Sequence, residues 1–260
     1  MKGLIGIFIY SVFLLSGEMT AQKTRKYTIK KEIQLSAFDS IVKHSFKNKI
    51  LIASACDTSL LIDQMAIFKT AIEHDSKDQI GLLCDLGNIY HAWMMLTLCR
   101  RPSIIRADND RDFYVRDTMI LDKVPYTLQS LRVAILKLGE KSKLHLPFIL
   151  WNGTISGAHP PKKSWTPQSL KSLIVSSGKS FFKHAGDEFT ADVTVNTICI
   201  AEDFVNELFM HEEQKDITFT AIFPKIVQYL PEHIAAYCAL NKTIMQLRTL
   251  SSSDILARSP

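Results

Sequence analysis

Short β-rich runs alternate along this chain with longer stretches whose apolar residues recur every three or four positions, the pattern of a parallel sheet covered by helices. Lys49 to Ala53 (KILIA) is a compact apolar run, and beyond it Leu61, Met65, Phe68 and Ile72 predict a helix over 60–74. Gln79 to Cys84 reads as a second strand, Asn88 to Cys99 and Tyr126 to Leu138 as helices, and Leu146 to Trp151 (LPFILW) as a buried strand. The following NGTISGAHPPKK, 152–163, has the Gly and Pro content of a loop at a strand end, where open α/β sheets bind ligands. Asp192 stands as N-cap of a helix over DVTVNTICIAEDFVNELF, and Pro224 and Pro231 can each open a short helix in the last segment. With 260 residues, 47% of them hydrophobic, the chain can bury a core, which excludes disorder.

The net charge of +5 belongs to one end. Residues 1–31 carry Lys2, Lys23, Arg25, Lys26, Lys30 and Lys31 against Glu18 alone, so the body is neutral and shows no basic cluster for a nucleic acid. Gly3 to Leu15 (GLIGIFIYSVFLL) is uncharged and resembles a signal-peptide core. It is short for a membrane span, which needs roughly 17 to 25 residues. The basic flank Lys23 to Lys31 points instead to an anchor or interfacial helix on residues 3–15, with the body in the cytosol. The secretory pathway is the alternative, and the sequons Asn152-Gly153-Thr154 and Asn241-Lys242-Thr243 suit it. Cys56, Cys84, Cys99, Cys199 and Cys238 are odd in number and widely spaced, and read as buried free thiols in a reducing compartment.

Several segments resemble the fatty acyl-CoA reductases. Phe46 to Ile52 is similar to that family's first strand, Asn88 with Met95 to Cys99 to a later helix, and Pro125-Tyr126-Thr127 to the start of its catalytic helix. Leu146 to Ile149, Ser164-Trp165, Val175 to Lys179 and Ala191 to Asn196 resemble further pieces. The resemblance implies a degenerate Rossmann-like parallel sheet with helices on both faces over 45–215. A leader or anchor at 1–31 and a short helical segment at 216–260 flank it. It also implies NADPH at Ala53, Ser54, Asp57 and Asn88, a long-chain acyl-CoA substrate reduced to a fatty alcohol, and Tyr126 as proton donor. No metal is implied.

The departures each remove a definite group. Where the family has Thr-Gly-x-x-Gly-x-x-Gly in its phosphate turn, this chain has Ala53, Ser54, Asp57 and Leu60, and side chains at the three glycine positions obstruct the approach of a pyrophosphate. Asp57 adds negative charge where the ligand is negative. The Lys that assists the family's Tyr is here Ser130, while Arg132 lies about 120° around the helix from Tyr126. Trp151 and Trp165 read as packing residues. His159 has no partner in sequence, and His211-Glu212-Glu213 lacks the second His of a zinc helix. Three readings follow: a reductase with impaired or lost activity, a non-catalytic lipid- or protein-interaction module on that scaffold, and an unrelated secreted glycoprotein.

Overall fold

The computed structural model describes residues 35–47, 50–75, 78–100, 113–153, 158, 160–183, 189–209 and 217–250. The apolar run 3–15, its basic flank, His159 and His211 to Glu213 lie outside them.

The architecture is mixed α/β, dominated by helices. At its centre is helix α3 (Gln79–Arg100), in which every residue from Leu83 to Leu98 is buried. A helix apolar on all sides has no face to offer water, so it takes the middle of the core. Its first two turns take in the expected strand 79–84. Asp78 redirects that segment, because its carboxylate accepts from Ile80 N (3.3 Å) and Gly81 N (3.1 Å) and so caps a helix.

Helix α2 (Thr58–Asp75) packs along α3 through Leu61, Phe68 and Ile72, with Met65 half-buried beside them, the stripe that the spacing predicts. Helix α5 (Leu128–Lys141) also packs on α3 and starts at a capping box: Thr127 Oγ1 accepts from Ser130 N (3.1 Å), and Ser130 Oγ accepts from Thr127 N (2.8 Å). Helix α1 covers 35–45 and buries Phe38, Ile41 and Val42, and α4 (Phe113–Arg116) is a single turn. Leu146–Phe148, expected as a strand, is a buried 3-10 turn instead, since Pro147 fixes its own φ and has no N–H for a ladder. Phe148 then centres an aromatic cluster with Phe181 and Phe182 of α6 (Leu170–Lys183) and with Phe204 of α7 (Glu202–Leu208) and Tyr229.

The strands form three small sheets. β1 (Phe46–Lys47) pairs antiparallel with β2 (Ile50–Leu51), and β3 (Met119–Leu121) with β4 (Val124–Tyr126). In the third sheet β5 (Phe189–Asp192) pairs antiparallel with β6 (Thr197–Ala201), which pairs parallel with β7 (Gln246–Leu250). β7 is reached through α7, α8 (Phe219–Ile226) and α9 (Glu232–Leu240). Among the described residues the β6–β7 register is the one parallel pairing, so the extended parallel sheet expected from the alternating pattern is not present there. The runs that prompted that expectation are too short or become helix.

The helix expected from Asp192 is a correction of the same kind. The Asp192 carboxylate accepts from Thr194 N (2.9 Å) and Thr194 Oγ1 (2.6 Å), which closes a turn, and Asn196 follows at φ +54°. The β-branched residues after it extend as β6, and only Glu202–Leu208 is helical. Pro231 does precede α9 as its N-cap, whereas Pro224 lies inside α8. Cys56 and Cys99 are joined in a disulfide, contrary to the reading of five free thiols, because the fold brings the turn before α2 to the end of α3 across 43 residues of sequence. Cys84, Cys199 and Cys238 are free. No described helix is long and apolar enough to cross a membrane.

Candidate functional site

The residues singled out for cofactor and catalysis have other occupations. Ala53 and Ser54 belong to a single 3-10 turn, Ala53–Ala55, followed directly by the disulfide at Cys56. Asp57 Oδ1 accepts from Leu60 N (2.9 Å) at the start of α2, so the amide that a phosphate would seek is engaged by the chain's own carboxylate. Asn88 is wholly buried: its Nδ2 donates to Trp165 O (2.9 Å) and its Oδ1 accepts from Trp165 N (2.7 Å). Tyr126 ends β4, half-buried, immediately before the cap of α5, and Ser130 is held in that cap. Ala53, Ser54 and Asp57 thus share one turn. No hydrogen bond among the described residues connects them with Asn88 or Tyr126.

Sequence reasoning missed a buried polar knot. Arg132, in the second turn of α5, donates from Nε (3.0 Å) and Nη2 to Glu207 Oε1. Its Nη1 donates to Tyr90 Oη (3.0 Å), Leu150 O (2.9 Å) and Trp151 O (3.3 Å). Burial disfavours the guanidinium charge, but the Glu207 carboxylate and the Tyr90 and Tyr114 hydroxyls outweigh it, and the pKa is raised. Burial likewise raises Tyr90, against the opposing pull of Arg132. His91 is depressed to about 3, first by burial and then by the charge of Arg132, and its Nε2 accepts from Trp151 N (3.3 Å) as a neutral imidazole. The knot ties α3, α5, the 150–151 segment and α7 together. Arg132 between Leu131 and Val133, on an apolar helix face, was its only trace in the sequence.

The residue groups that remain available to a ligand lie elsewhere. A cleft of about 420 Å³ opens between α1 and the 160–163 loop, lined by Asp39, Val42, Lys43, Phe46, Pro160, Pro161, Lys162 and Lys163. Its position follows from three attachments of the loop. Gly87 leaves room for the Trp165 indole, whose ring would meet a Cβ there at 2.1 Å, Asn88 clamps the Trp165 backbone, and Asp39 accepts from Ser164 N. Phe46 is braced edge-on against Trp151 with ring centroids 5.1 Å apart. Val42, Phe46 and the two prolines supply apolar wall, and Lys43, Lys162 and Lys163 are exposed at its edge. None of the three lysines takes part in an ion pair among the described residues, and the one carboxylate present is engaged with Ser164.

A second cleft, of about 250 Å³, lies among Leu136, Glu140, Lys143, His145, Glu207, Leu208 and Lys225, and three of its polar groups are engaged. Lys225 Nζ donates to Leu208 O (3.2 Å), Glu207 holds Arg132, and His145 Nδ1 meets Tyr229 Oη at 3.1 Å. Burial, and then the charge of Lys225, lower the His145 pKa. Among the described residues no group of three or more His, Cys, Asp or Glu is placed to hold a metal ion. Compared with family models, curated proteins and solved structures, the chain finds no match.

Proposed function

We propose that this chain is a non-catalytic lipid-interaction module whose ligand is a single-chain anionic amphiphile of the fatty-acid class. The observation that carries this reading is the α1 cleft, which sets apolar wall beside three uncommitted ammonium groups. An acyl chain lies along Val42, Phe46, Pro160 and Pro161, and its acidic head meets Lys43, Lys162 and Lys163. Buried apolar area supplies most of the affinity, and the lysines select the charged head over neutral lipids. The basic flank 23–31 precedes α1 in sequence, and we propose that its charge draws the cleft toward an anionic membrane surface.

The reductase reading is the competing proposal. It is supported by Tyr126, half-buried beside the N-terminus of α5, and it carries with it NADPH, a long-chain acyl-CoA and a Rossmann-like sheet of which β6–β7 would be the parallel part. Against it stand Asp57 and Asn88, both engaged in holding the fold. The test is a titration of the full chain with a fluorescent fatty acid, followed by NADPH and then a long-chain acyl-CoA. Saturable binding of the fatty acid, with no NADPH binding and no nicotinamide oxidation, is the expected result. Oxidation of NADPH on addition of acyl-CoA would restore the reductase, and absence of fatty-acid binding would end the lipid-module reading.

A further inference from the structure

We infer that Asn241 carries an N-linked glycan and that Asn152, which starts the same Asn-X-Thr pattern, does not. Both residues start an Asn-X-Thr tripeptide, and the fold separates them. Asn152 is 7% exposed, between buried Trp151 and Gly153, which sits at φ +78° where an added Cβ would meet Met94 Sδ at 3.3 Å and Leu98 Cδ1 at 3.5 Å. An oligosaccharide on its amide would have to displace the core around α3. Asn241 instead closes α9 and starts the turn 241–244, which is held by Ile244 N to Asn241 O (2.9 Å) and leads into β7. Its Nδ2 donates to Tyr237 O at 3.0 Å, a contact within the last turn of α9 that an amide glycan can replace by solvent.

Two further observations bear on the assignment. Leu240 is 86% exposed and Ile244 54%, one on each side of Asn241, so the chain on both sides of the amide reaches solvent and leaves room for an oligosaccharide. The Cys56–Cys99 disulfide belongs to an oxidising compartment, where the glycosylation machinery also works, while the remaining cysteines are buried or half-buried. The basic flank at 23–31 does not oppose this, because the charge rule orients spanning segments and the 13 residues from Gly3 to Leu15 are short of a span. They serve as a signal-peptide core. In the transfer step the Asn241 amide nitrogen attacks the anomeric carbon of a lipid-pyrophosphate-linked oligosaccharide. A C–N bond forms, the C–O bond to pyrophosphate breaks, and the amide loses one proton.

The experiment is translation of the full chain with endoplasmic reticulum microsomes, read by gel mobility before and after glycosidase. Thiol alkylation with and without reductant is read in the same samples. One glycan is expected on the wild type and on Asn152→Gln, and none on Asn241→Gln or on Thr243→Ala, which leaves the Asn241 side chain in place. In denaturant, which exposes the buried thiols, three cysteines should label before reduction and five after. An unglycosylated wild type, a glycan lost in Asn152→Gln rather than in Asn241→Gln, or five thiols reactive without reductant would each overturn the assignment.

Discussion

Arg132 and the lysines of the α1 cleft are all cationic, yet the fold uses them in opposite ways. Arg132 is buried with five hydrogen bonds to Glu207, Tyr90 and two carbonyls, whereas Lys43, Lys162 and Lys163 stand exposed beside apolar wall with no ion pair among the described residues. A buried charge must be matched by the groups around it, so its partners are fixed by folding and nothing remains for a ligand. An exposed charge needs no partner for stability and stays available. The buried polar groups of α3, Asn88 and His91, follow Arg132 in this, and the account therefore places architecture in the interior and function at the cleft.

The sharpest way to break that division is Arg132→Ala. It leaves Glu207 without its cation, and the expected cost is about 4 kcal/mol in urea unfolding, within the usual range for one partner of a buried pair. A loss below about 1 kcal/mol would show that the knot is not structural. Asn88→Ala ranks next, since it leaves both Trp165 backbone groups unpaired in the core. About 3 kcal/mol is expected, together with weaker fatty-acid binding, because Trp165 anchors the loop that carries Lys162 and Lys163. Loss of binding without loss of stability would make Asn88 a ligand contact instead.

His91 sharpens the comparison through pH. Its folded pKa of about 3 lies below the ordinary imidazole value, so the unfolded chain takes up a proton that the native chain refuses. The stability this residue contributes is complete above about pH 6.5 and is lost as pH falls toward 3. Between pH 6.5 and 5 that is about 2 kcal/mol, and an unfolding series on His91→Gln should lack this part of the acid dependence. The smallest effect is expected of Asp57→Ala, about 1 kcal/mol for a lost N-cap, with no gain of NADPH binding in an equilibrium titration. Acquisition of NADPH binding would mean that Asp57 obstructs a cofactor site rather than merely capping α2.

What could be read from the sequence followed periodicity. Leu61, Phe68 and Ile72 give α2 because a stripe at helical spacing has one solution, and Asn88 to Cys99, long enough to read as a helix, is the C-terminal half of α3. Segments 79–84 and 146–151 failed because a short apolar run is equally compatible with a strand, a buried helix or a buried turn. Asp78 and Pro147 decide between these, and their effect is local geometry rather than pattern. Asp192 shows the same ambiguity from the other side, since an aspartate that caps a helix also closes a turn. The candidate site was less legible still. Pro160 to Lys163 were recognised as a ligand-side loop, but Val42, Lys43 and Phe46 reach it only through tertiary packing on Trp165 and Asp39.

The division between interior and cleft is tested most directly by the triple variant Lys43→Ala, Lys162→Ala, Lys163→Ala. It is compared with the wild type by fluorescent fatty-acid titration and urea unfolding on the same preparations. The account predicts binding weakened about tenfold or more, a loss of at least about 1.4 kcal/mol, with unfolding free energy unchanged to within about 0.5 kcal/mol. Equal affinity in the two proteins, or a stability loss comparable with that of Arg132→Ala, would contradict it.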